Sequence, residues 1–91
     1  KLEFVLSVDN ADPSVTFWLL KTIYNGTDTA LEGNSNELND WGCVLISKGA
    51  AVYRMILTAN DVMNLRQHGL FVNGHYVNIT KCNLLQKEYL N

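Results

Sequence analysis

No apolar run in this chain approaches the ~20 residues that a helix needs to cross a bilayer. No signal peptide is visible, and the chain begins with Lys1 rather than Met, which points to an excised domain or a processed mature chain. Low-complexity tracts, linkers and internal repeats are missing as well. The 91 residues are therefore expected to form one domain, with a short tail at 83–91.

An excess of positive charge is also lacking. Lys and Arg number 7 against 9 Asp and Glu, a net charge of −2. A duplex-binding domain must neutralise phosphates and is strongly basic, so that class is excluded. The charge is nonetheless uneven. Lys1 and Lys21 face Glu3, Asp9, Asp12, Asp28, Glu32, Glu37 and Asp40 in the first part. Lys48, Arg54, Arg66, Lys81 and Lys87 face only Asp61 and Glu88 in the second, which can carry a mildly basic patch.

Cysteine and histidine are scarce. A zinc site would need His68 and His75 to join Cys43 and Cys82 at irregular spacing, unlike the short paired spacings of zinc modules, so no metal is expected. Catalytic signatures are absent: there is no Gly-x-Ser-x-Gly elbow and no glycine-rich phosphate loop. Cys43, after Trp41-Gly42, reads as a buried strand thiol rather than a nucleophile. His75 reads as an exposed turn residue, and His68 as a complement to a helix dipole. The expectation is no enzyme and no cofactor.

What is present is 47% hydrophobic residues in patterned runs, enough for a core without staples. KLEFVLSVDN alternates, with Leu2, Phe4, Leu6 and Val8 on one side, and reads as a half-buried strand. In ADPSVTFWLLKTIYNG, Asp12-Pro13 suits a helix start, Val15, Trp18, Leu19 and Ile23 recur at helical spacing, and Asn25-Gly26 suits a stop. A helix is expected there, although SVTFWLL also fits a buried strand. A polar loop follows over 27–40, which can hold a short irregular strand. WGCVLIS and AAVYRMIL read as strands, the second with Tyr53, Met55 and Leu57 inward so that Arg54 stays out of the core. Trp18 and Trp41 read as core anchors, Trp41 with the option of partial exposure beside its loop.

Thr58 stands three residues before Asp61, a capping box with Asp in place of Glu, and opens a helix that Gly69 stops. Asn73-Gly74 then signals a hairpin, and HYVNIT alternates with Val77 and Ile79 inward and Tyr76, Asn78 and Thr80 outward. Strand, helix, strand, strand, helix, strand with right-handed crossovers predicts an α+β, ferredoxin-like fold: a four-stranded antiparallel sheet with two helices on one face.

That order, and the segment Asn73-Gly74-His75-Tyr76-Val77-Asn78-Ile79 after the helix at Thr58–Leu65, resembles the RNA recognition motif family. Lys48-Gly49 stands where that family's third-strand motif begins. The resemblance covers most of the chain by element order and about 25 residues by pattern. It implies single-stranded RNA held on the open sheet face. The two stacking positions, however, would be Ala50 and Val52, and Phe4 belongs to the apolar side. Lys48, Arg54, Tyr76 and Lys81 are then the RNA candidates. Val52, Ile56 and Asn78 complete a partly apolar face that also suits a partner protein or a second copy. The helix-to-hairpin segment looks, too, like parts of retroelement nucleic-acid-binding proteins, whose zinc knuckles have no counterpart here.

The expected function is a non-catalytic binding module, acting inside the cell on a partner protein or single-stranded RNA. The alternative is a small secreted β-rich protein of the effector type with one disulfide, suited by SVTFWLL and by sequons at Asn25-Gly26-Thr27 and Asn78-Ile79-Thr80. In the sheet order 4-1-3-2, Cys43 and Cys82 would lie on opposite edges, roughly 14 Å apart. A disulfide needs Cα atoms within about 7 Å, so free thiols are expected.

Overall fold

The computed structural model describes residues 2–10, 14–15, 17–47 and 49–86. Among them the order is β1 (Leu2–Asn10), β2 (Trp18–Tyr24), a 3-10 segment (Glu32–Glu37), β3 (Val44–Ile46), β4 (Val52–Ile56), α1 (Ala59–His68), β5 (Leu70–His75) and β6 (Val77–Gln86). The strands form two antiparallel sheets of three, ordered β4-β1-β6 and β3-β2-β5.

This corrects the expected four-stranded sheet with two helices on one face. The decisive segment is β2. Trp18, Leu20 and Thr22 are fully buried on one side, with Tyr24 nearly so, while Leu19 and Ile23 are buried on the other. A strand covered on both sides reads as a continuous apolar run, which also satisfies helical spacing. Its aromatic and β-branched residues fit the pleat. The Asp12-Pro13 cap lies outside the described residues, as do Lys48 and residues 87–91. Without that helix no right-handed crossover forms, and the chain closes its core by packing sheet on sheet.

Phe4, Leu6 and Val8 of β1, Tyr53 and Met55 of β4, and Val77 of β6 meet Trp18, Leu20 and Tyr24 of β2 and Val44 and Ile46 of β3 in one cluster. Each fully buried large apolar side chain there contributes about 1.5–3 kcal/mol. The inward register expected for Tyr53, Met55 and Leu57 holds. Helix α1 has the expected capping box: Asp61 N–H donates to Thr58 Oγ1 at 3.0 Å, and Thr58 N–H donates to Asp61 Oδ2 at 3.1 Å. Gly69, at φ 83°, ends it. The loop expected over 27–40 holds the 3-10 segment.

The hairpin expected at Asn73-Gly74 is also corrected. Both residues lie inside β5, opposite Lys21 and Leu20 of β2. The turn comes at Tyr76, where the chain leaves one sheet for the other. A Cβ on Gly74 would stand 2.4 Å from the Val77 carbonyl oxygen, so the tight passage requires glycine there. Residues 83–86, expected in a tail, extend β6 along β1 as far as Gln86 opposite Leu2.

Candidate binding site

Five of the seven residues singled out above share the open face of the first sheet. Val52, Arg54 and Ile56 alternate outward along β4. Lys81 lies across from Ser7, and Asn78 from Asp9. The register of β6 slips between Ser7 and Val8, which makes Thr80 an extra residue. Strict alternation with Val77 and Ile79 would turn Lys81 inward; the bulge at Thr80 turns it out. Arg54 donates from Nη1 to Glu3 Oε1 at 3.3 Å, and Glu3 is only 3% exposed, so Arg54 is already engaged. Tyr76 does not join this face, and Lys48 lies outside the described residues.

Tyr76 belongs to a groove on the outer face of the second sheet, of about 380 Å³, lined by Phe17, Leu19, Lys21, Trp41, Cys43, His75 and Tyr76. Three devices build it. Phe17 immediately precedes β2, and Leu19 and Lys21 lie on the side of β2 that alternates with its core residues; Leu19 pairs with Leu45 and His75. Asn39 Oδ1 accepts the N–H groups of Trp41 at 2.9 Å and Cys43 at 3.0 Å, and Asn39 N–H donates to the Cys43 carbonyl at 2.8 Å. That tied turn presents Trp41, which is 71% exposed and therefore no core anchor, unlike the fully buried Trp18. Tyr76 stands at φ 66°, a left-handed conformation uncommon for a bulky residue. Its ring meets Phe17 edge to face, with centroids 6.2 Å apart and planes at 88°.

Charge on the lining is one-sided: Lys21 is a cation, and no lining residue is acidic. Asp40 stands beside Trp41 in the turn. Cys43 is buried and Cys82 exposed, and both are free. Although Cys82 is exposed, partial desolvation by its neighbours pushes its thiol up.

A second polar cluster, around Asp61, is inaccessible. Its carboxylate is fully buried and accepts from Tyr24 Oη and from the backbone N–H groups of Glu32, Gly33 and Thr58. Burial pushes this carboxyl up, but those hydrogen bonds outweigh it and hold Asp61 below the usual range. Its partners saturate it, so it ties α1, the 3-10 segment and β2 together rather than meeting a substrate. Tyr53 Oη donates to Glu37 Oε2 at 2.7 Å, and burial followed by that bond raises its phenol.

Among the described residues no cluster of three or more His, Cys, Asp or Glu side chains is arranged to hold a metal ion, and no helix is long and apolar enough to cross a membrane. The groove was illegible in sequence because its walls come from three separated segments. The one local signal was Trp41 beside a polar Asn39-Asp40 turn. No family model matches the chain, and neither a curated protein nor a solved structure matches it.

Proposed function

We propose that the chain is a non-catalytic binding module for single-stranded RNA, with bases stacking in the aromatic groove of the second sheet. The observation that carries this reading is the grouping of Phe17, Trp41 and Tyr76 around Lys21 and His75 with no acidic lining. Base-to-aromatic stacking contributes about 1–3 kcal/mol per base, and a lysine beside the ring meets the adjoining phosphate. The free thiols support an intracellular setting.

The test is a titration of labelled single-stranded RNA at low salt. Saturable binding is expected, weakened about tenfold or more by Trp41→Ala. Absence of binding at high micromolar concentration, or equal binding by the variant, overturns the reading. A second reading, a partner protein, is favoured by exposed Val52, Ile56 and Leu85 on the open face of the first sheet. Val52→Asp would then abolish partner capture and leave RNA binding unchanged; light scattering tests the case in which the partner is a second copy.

A further inference from the structure

Beyond the groove, the outer face of the second sheet continues along β2 and β5. Leu19 pairs with His75, Lys21 with Asn73, and Ile23 with Phe71. Three rungs therefore run in one direction. The aromatic groove lies at the first, a lysine and an amide at the second, and Phe71, 44% exposed, at the third. His75 and Phe71 are four residues apart, roughly 14 Å along an extended strand.

We infer that this strip is a linear track for a short single-stranded nucleic acid, with one base in the groove, a second on Phe71 and the intervening phosphate on Lys21. The inference rests on the RNA reading above and deepens it. Three observations point to this occupant. The outward residues of the strip are Leu19, Lys21, Ile23, Leu45, Phe71, Asn73 and His75; none is acidic, although acidic residues outnumber basic ones in the chain. The only permanent charge on it is the cation midway between the two aromatic stations, where a phosphate between two bases would lie. Asn73, across from Lys21, adds donors and an acceptor at the same level. Ile23, which is buried, is the cross-strand partner of Phe71 and stands beside it on the same face.

Oligoadenylates of one, two, three and six nucleotides, titrated at low salt, test this. Wild type should bind the trinucleotide about tenfold tighter than the mononucleotide, with little further gain at six. Phe71→Ala should lose the gain and bind the mononucleotide as wild type does. Phe71→Leu keeps an apolar side chain beside Ile23 and should lose the same gain, which separates a lost stacking ring from a disturbed fold. Lys21→Gln, which also removes a groove-lining cation, should weaken every length and flatten the salt dependence. A wild-type affinity that does not grow with length, or a gain that survives in both Phe71 variants, overturns the track while leaving the groove as the RNA site. No binding at any length overturns the RNA reading together with the track.

Discussion

Tyr24 donates its phenolic proton to Asp61 Oδ1 at 2.5 Å, across 37 residues of sequence and between the middle strand of one sheet and the first turn of α1. The same carboxylate accepts from the N–H groups of Glu32 at 2.7 Å and Gly33 at 2.9 Å. A residue legible as a helix cap is thus also the tie between three elements. Asp61→Ala would leave buried donors unpaired, each costing about 1–3 kcal/mol. We expect a loss of at least about 3 kcal/mol, a drop in Tm of ~12 °C or more; Asp61→Asn, which keeps the oxygen acceptor, should lose less. A thermal melt by circular dichroism measures both, and a shift of only a few degrees for Ala would contradict the tie.

The pair also predicts pH dependence at both ends. Burial, then the hydrogen bond to Asp61 and its charge, push the Tyr24 phenol up to about 12. Its folded value lies above the unfolded value of about 10, so its contribution is complete below pH ~10 and disappears as the pH rises to about 12. Asp61 behaves oppositely: its folded value is lowered, so its contribution is present above the ordinary carboxyl value of about 3.9 and is lost as the pH falls through the lowered one. Phenolate absorbance should show tyrosines ionising well above 10, one step vanishing in Tyr24→Phe. Four tyrosines titrating together near 10 would be incompatible with this arrangement.

Removal of Thr80 should be tolerated. Its deletion joins the pairs Ile79–Val8 and Lys81–Ser7 without a slip and leaves every side chain on its present face. The loss is one side-chain bond to the Ser7 carbonyl at 3.3 Å, so the change should stay within about 1 kcal/mol. Deletion of Asn78 throws Val77 off the core and should cost far more. Chemical denaturation of the two deletions compares them; equal losses would disprove the bulge.

The two tryptophans should separate stability from binding. Trp18→Ala removes a fully buried side chain and should cost about 3–5 kcal/mol. Trp41→Ala removes an exposed one and should change stability by no more than about 0.5 kcal/mol while abolishing most RNA affinity. Denaturation midpoints and the titration above read the two effects.

A thiol reagent should label Cys82 in the folded protein and Cys43 only after unfolding, because Cys43 is buried. Partial desolvation that raises the exposed Cys82 thiol should make its labelling slower at neutral pH than that of a fully solvated thiol. Mass spectrometry counts the modified groups. A single disulfide in place of two reactive thiols would favour the secreted alternative.

Local patterns identified β1, the register of β4, and α1 with its capping box, because each signal lies within about ten residues and a single neighbour satisfies it. Alternation in Leu2–Val8 can be satisfied only by a strand with one face in a core. In Trp18–Tyr24 the pattern was degenerate: apolar residues on every side fit a helix or a strand buried on both sides, and the first sheet made the choice by packing against Trp18, Leu20 and Tyr24. Fold class followed from that one segment. The functional surface moved with it. Val52, Arg54, Ile56, Asn78 and Lys81 do share a face, Lys81 through a bulge that no alternation rule shows. Tyr76 left them for a groove with Phe17 and Trp41, whose rings lie far apart along the chain and meet on one surface because β2 pairs with both β3 and β5 in the second sheet. Short-range periodicity thus dictated β1, the register of β4 and the cap of α1. Which faces were covered, and which aromatics remained on the surface, depended on long-range pairing that no local pattern encodes.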